Sequence, residues 1–291
     1  MSTKVGFIAV ALVAGFSLSA CSSSSSSGSS GGGGTPTNDE IILPQNGTLE
    51  LDGSAVTAEV TGPNVTSIDG PGSSTLTMTT ENGEIVAAGF AATGSRVALD
   101  SRAGDTLTRT SSGVLVAMES ADANDALVLV DPSATRFEHQ TFGIWLEDRN
   151  QAVATAGAGS YGIRTDSSDI PTGQNASYDG VSTGVAILAD GNGYITASEI
   201  EVTTNFRSAS ITSSGTVATR LSDGTDVNAS SLDFSGSGDV SGNTFRANIS
   251  GTGTSGTADG IFYGRNAEEV GGTFQATGAG GVAHIGSFGA D

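Results

Sequence analysis

From Ile41 onward the chain contains no 3.6-residue amphipathic run. It is built instead of short alternating runs such as Thr75-Leu76-Thr77-Met78-Thr79, Val114-Leu115-Val116-Ala117-Met118 and Thr244-Phe245-Arg246-Ala247-Asn248-Ile249. Gly, Asn, Asp and Ser separate these runs. Period-two alternation with β-branched residues suits a pleated surface buried on one face. Close spacing by turn residues predicts antiparallel pairing rather than βαβ units. The expected fold is therefore all-β. After about Pro132 the rhythm steadies into some eight strands, enough for a small closed antiparallel barrel. The 43 glycines among 291 residues allow the strong coiling such a barrel needs.

Charge and cysteine content exclude several function classes. Eleven Lys and Arg against 31 Asp and Glu leave a formal net charge of −20. A phosphate-backbone binder needs a basic face, so no nucleic-acid partner is expected. One Cys and two His make an intrachain disulfide impossible and argue against a Cys/His metal site; neither metal nor cofactor is expected. No G-x-S-x-G elbow is present, carboxylate pairs such as Glu268-Glu269 read as solvated surface, and no enzymatic activity is expected. A lone His, whether His139 or His284, reads first as a partly buried or solvated side chain, with haem ligation the sharper alternative.

The first twenty residues have the form of an export signal: Lys4, then an apolar run from Val5 to Leu18. The run ends on Leu18-Ser19-Ala20-Cys21, which resembles the lipobox of bacterial lipoproteins. That resemblance implies a lipid anchor on Cys21. Ser22 follows rather than Asp, which implies the outer membrane, and the body is expected to face the cell exterior. Residues 21–38 are a Ser/Gly-rich tether. The organisation expected is a signal over 1–20, the tether over 21–38, a smaller β-rich region over 39–136 and a barrel over 137–291.

Asp190-Gly191-Asn192-Gly193 opens a stretch ending at Glu199 that imitates part of an EF-hand loop. Leu188 would occupy the first ligand position, and the flanks read as strands. The expectation is a hairpin turn.

Gly260-Ile261-Phe262-Tyr263-Gly264-Arg265-Asn266-Ala267-Glu268-Glu269-Val270-Gly271-Gly272-Thr273-Phe274 resembles the barrel-closing pattern of transferrin-binding protein B-like lipoproteins. Gly286-Ser287-Phe288-Gly289-Ala290 resembles the family's closing segment. Phe142-Gly143-Ile144-Trp145 and the stretch from Pro171 to Gly180 resemble two upstream strands. The signature positions are Gly260, Phe262, Tyr263, Gly264, Ala267, Glu269, Gly271, Gly272 and Phe274, read here as closing the barrel, with Asn266 capping one helical turn over 267–269. A packed core is expected to include Trp145, Phe206, Phe245 and Phe274. The resemblance implies a single-lobe binding lipoprotein for iron acquisition, its partners an iron-carrier protein or haem and a TonB-dependent receptor. The alternative is a structural envelope lipoprotein without a small-molecule ligand. The glycine-rich stretch from Arg149 to Asp169 reads as a long loop, and Tyr161 and Arg164 in it are the expected ligand contacts.

Overall fold

The computed structural model describes residues 40–291; the export signal, Cys21 and the tether lie outside the described residues. The described chain is all-β, with 3-10 turns and no α-helix. No helix in it is long and apolar enough to cross a membrane.

The first half is one antiparallel sheet. Its strands are β1 (Asn46–Thr61), β2 (Asn64–Glu81), β3 (Glu84–Ala92), β4 (Ser95–Asp100), β5 (Thr106–Arg109), β6 (Leu115–Glu119), β7 (Ala126–Val130), β8 (Gln140–Glu147) and β9 (Ala154–Gly162). They run in the order β4-β3-β2-β1-β9-β8-β7-β6-β5, leaving β4 and β5 as edges. The sheet curls around a core of Leu76, Met78, Phe90, Val97, Leu129, Trp145 and Tyr161. Trp145 spans the curl: its ring stacks on Phe90 at 5.0 Å, and its indole N–H donates to Ser95 Oγ on β4 at 2.8 Å.

The second half is the closed barrel. Its strands are β10 (Ala176–Ile187), β11 (Gly193–Thr204), β12 (Ser208–Arg220), β14 (Phe234–Ser241), β15 (Thr244–Gly251), β16 (Thr254–Tyr263), β17 (Glu269–Gly278) and β18 (Ala283–Ala290), with a short β13 (Asp226–Asn228) laid on β12. Pairing of β10 with β18 and of β11 with β12 completes an eight-stranded ring. Alternation decides the two faces. Phe245, Ala247 and Ile249 of β15 point inward, whereas Arg246, Asn248 and Ser250 are exposed. Ser208, Ser210 and Thr212 continue the exposed polar row on β12. The interior is packed with aromatic side chains, among them Phe206, Phe234, Phe262, Phe274 and Phe288. A lipid-spanning barrel would need the reverse arrangement, an apolar outer band.

Three expectations need correction. The hydrogen-bonded sheets divide between Gly162 and Ala176, not at 136/137, because β8 and β9 pair with β7 and β1. Phe142 to Trp145 therefore belong to the first sheet, and Trp145 sits in that sheet's core while Phe206, Phe245 and Phe274 fill the barrel. Arg149 to Asp169 is not one long loop: small alternating residues in its middle form strand β9, with Gly157 beneath the Trp145 ring. The segment at Asp190 is the expected hairpin: Asp190 Oδ1 accepts the Asn192 N–H at 3.0 Å, and Gly191 takes φ +74°.

Sheet and barrel pack face to face through β8 and β9 against β17 and β18. Every residue of β18 is buried, because Phe288 and Ala290 face the barrel interior while Ile285 meets Ile144 and Ala158 of the first sheet. Two glycines set the separation. A Cβ on Gly289 would lie 2.6 Å from the Phe142 ring, and one on Gly271 would overlap Gln140 Oε1. Polar groups then lock the register. Gln140 Nε2 donates to the carbonyls of Val270 and Ala290 at 2.9 and 3.2 Å. Ser287 Oγ donates to the Gly143 carbonyl at 2.9 Å, and the Tyr263 and Ser160 hydroxyls meet at 2.9 Å. Glu269 Oε1 accepts the backbone N–H groups of Glu138 and His139 at 2.6 and 3.2 Å. Arg136 pairs with Asp291 beside it.

Burial pushes the Glu269 carboxyl up to about 7, against the lowering effects of the Glu138 N–H and of His139. Burial acts oppositely on His284, which it pushes down to about 3 inside the barrel.

These contacts generate two predictions. Gly289→Ala should destabilise the protein by ~1–3 kcal/mol through overpacking, while Gly72→Ala, in open space, should stay within ~0.5 kcal/mol. Urea unfolding of the two variants checks this, and equal midpoints would remove the close approach as the cause. The folded pKa of Glu269 lies above its unfolded value, so its contribution is fully present below about pH 4.5 and is lost as pH rises through 7. His284 has the opposite sign and loses stability as pH falls below its ordinary 6.5. The difference between wild type and Glu269→Gln isolates the carboxyl. The variant should gain stability relative to wild type between pH 5 and 8, by up to ~3 kcal/mol, and parallel curves would refute the buried carboxylate.

Candidate functional site

The signature residues close the barrel. Gly260 leaves room for the Phe245 ring above it. Phe262 points inward, with the rings of Phe206, Phe245 and Tyr178 at 5.5, 6.1 and 6.3 Å. Phe274 points inward too, 4.9 Å from Phe234 and edge-on to His284 at 4.8 Å. Tyr263 and Glu269 point outward into the contact with the first sheet, as does Gly271, while Gly272 lies against the β16 backbone. The turn between β16 and β17 is not the helical turn expected. Gly264, Asn266 and Ala267 have φ of 76, 64 and 58°, and left-handed residues cannot build a right-handed helical turn. The buried Ala267 carries this strain because its carbonyl accepts the Tyr178 hydroxyl at 2.7 Å and its side chain is in the core.

The two histidines are enclosed. His139 Nε2 lies 3.1 Å from the Glu268 carboxylate, and His284 Nε2 lies 2.9 Å from Thr196 Oγ1 within the barrel. Among the described residues no three His, Cys, Asp or Glu side chains group to hold a metal ion.

Of the two expected ligand contacts, the structure separates one from the other. Tyr161 lies on β9, fully buried, its hydroxyl 2.8 Å from Ser74 Oγ and its ring 5.5 Å from Phe90. Desolvation raises its hydroxyl pKa far above the usual range. A ligand cannot reach it, so that expectation is corrected: Tyr161 is a core residue. Arg164 is exposed and lines a cleft of about 280 Å³ between the first sheet and the barrel wall. Its backbone lies along β16. Arg164 bridges Tyr263, the Thr165 N–H donates to the Phe262 carbonyl at 3.0 Å, and Asn243 Nδ2 donates to the Thr165 carbonyl at 2.7 Å.

Ser54 and Pro71 form one wall of the cleft, and Asp239, Ser241, Thr244, Arg246, Asp259 and Ile261 the other. Arg246 stands between Asp239 and Asp259 in strand register and pairs with Asp259 at 3.6 Å. Partial burial raises the Asp259 pKa, with Arg246 opposing. Sequence reasoning missed all six of these barrel-wall residues. Their only sequence signal was outward phase on three strands, and nothing in that phase says which three strands face the first sheet.

Residues 170–291 match the family model described as the C-lobe and N-lobe beta barrels of Tf-binding protein B. No curated protein matches the chain. Among solved structures, transferrin-binding protein B from Haemophilus parasuis is 14% identical, with 86% of this chain and 77% of that chain covered and a TM-score of 0.43. The isotype 1 protein from Neisseria meningitidis is 19% identical, with 82% and 43% covered and a TM-score of 0.44, so this chain spans less than half of it. The haemoglobin receptor HpuA from Kingella denitrificans is 16% identical, with 88% and 90% covered and a TM-score of 0.40. The stretch that matches the family model, residues 170–291, contains the closed barrel and its buried β16–β17 signature.

Proposed function

We propose that this protein is a lipid-anchored binding protein of the outer membrane, displayed outward, that captures an iron-carrying protein or haem and passes it to a TonB-dependent receptor. The family match over residues 170–291 carries the reading. The sequence supplies the anchor: its single Cys closes an export signal and is followed by a tether that holds a folded body off the membrane. The strongly acidic surface suits a crowded lipoprotein that must remain soluble. The turns at the ends of a rigid barrel suit recognition, since loops vary without disturbing the strands.

Residues 39–291, immobilised and presented with iron-loaded transferrin, haemoglobin and haem, should retain one of the three. Retention of none, by a body with an intact thermal transition, would leave the structural-lipoprotein alternative in its place. Cys21→Ala should abolish acyl labelling and leave precursor or soluble protein. Label and membrane partition that survive the substitution would sink the anchor.

A further inference from the structure

The charges around the Arg164 cleft do not cancel locally in pairs. Arg246 and Asp259 form one ion pair. Arg164 and Asp239 then remain outside any ion pair, Asp239 lying across the strand from Arg246. Arg164 makes no ion pair or side-chain hydrogen bond among the described residues, and neither does Asp239. Most other arginines are engaged: Arg102, Arg109, Arg136, Arg149 and Arg220 each hold carboxylates of this chain. Arg164 differs from the other arginines without an ion pair among the described residues, Arg96 and Arg207, in that it lines this cleft.

The backbone under both groups is rigid. Arg164 rides on the segment hydrogen-bonded to β16, and Asp239 lies within β14. The Ser54 and Ser241 hydroxyls, also in the lining, donate no hydrogen bond among the described residues, so polar partners are available in the same cleft. Ile261 and Pro71 add apolar surface. A volume of about 280 Å³ lies at the small end of the range for small-molecule sites, which limits the ligand to roughly an amino acid or two.

We infer that this cleft binds a small zwitterion, a dipeptide, with its carboxylate on Arg164 and its ammonium on Asp239. A guanidinium offers a planar pair of donors to a carboxylate, and a carboxylate accepts from an ammonium. A pure anion would meet the acidic field of the whole chain, and a pure cation would meet Arg164; a neutral zwitterion escapes both. The peptide group between the charges would lie against the Ser54 and Ser241 hydroxyls. This inference does not rest on iron-carrier capture and survives or fails separately from it.

The test uses the full lipidated chain in detergent, titrated calorimetrically with alanyl-leucine, alanyl-leucine amide and N-acetyl-alanyl-leucine. The free dipeptide should bind, and each blocked form should bind at least about tenfold more weakly. Arg164→Ala should remove the discrimination between acid and amide while keeping that between free and acetylated amine. Asp239→Asn should do the converse. Both side chains are exposed, so melting should not move in either variant. No heat from the free dipeptide at millimolar concentration, or equal binding of all three forms, would overturn the inference. So would loss of both discriminations together in either single variant, because that outcome assigns the two charges to one disturbed surface rather than to two ends of one ligand.

Discussion

Strand β18 is buried on both faces, and the arrangement of the two halves depends on that double burial. One row of its side chains fills the barrel and the other meets the first sheet, so the strand cannot slip by one residue without exchanging the two rows. Gly271 and Gly289 bring the backbones close enough for Gln140 to reach the Val270 and Ala290 carbonyls. With those contacts made, Gln140 Nε2, Glu269 Oε1 and Ser287 Oγ have partners in fixed places, and the two bodies have a defined relative position. The cleft at Arg164 lies between Ser54 and Pro71 of the first sheet and strands β14, β15 and β16 of the barrel.

The contact mixes apolar packing with groups that dislike burial. Glu269 is held by two backbone N–H groups yet remains expensive to ionise, because the low-dielectric surroundings outweigh them. His284 inside the barrel is held neutral by the same effect acting on the opposite charge type. The two therefore tilt stability in opposite directions with pH. Charges kept at the surface behave differently. Asp190 is held low, at about 2, first by the Tyr194 hydroxyl and then by the Asn192 side chain and N–H of its own turn. That bonding serves the hairpin and leaves its carboxylate committed to the turn.

Much of the barrel was legible in advance. Alternation along β15 identifies Phe245, Ala247 and Ile249 as one face, and the Gly191 turn identifies a hairpin without reference to any neighbour. The closing signature is legible because it combines a bulky inward pair, Phe262 and Phe274, with glycines at close approaches, Gly260 under the Phe245 ring and Gly271 against Gln140. The small strand β9 was not legible. Ala-Thr-Ala-Gly-Ala-Gly-Ser-Tyr-Gly has the composition of a loop, and only the Trp145 ring lying over Gly157 explains why small residues are needed there. Nor was the turn after Tyr263, where local helix-capping chemistry loses to core contacts of Ala267 that hold it left-handed.

The sequence by itself determined the all-β class, the phase of each long strand, the acidic surface and the closing signature, because each is set by residues near one another along the chain. Only the tertiary structure decided which sheet each strand joins. Inter-strand pairing and face-to-face packing select among strands of similar pattern by shape, and shape is not written in alternation. That choice moved Trp145 into the first sheet's core and buried Tyr161 against Phe90. It also left Arg164 on a rigid platform at the cleft beside Asp239, although the two are far apart in sequence.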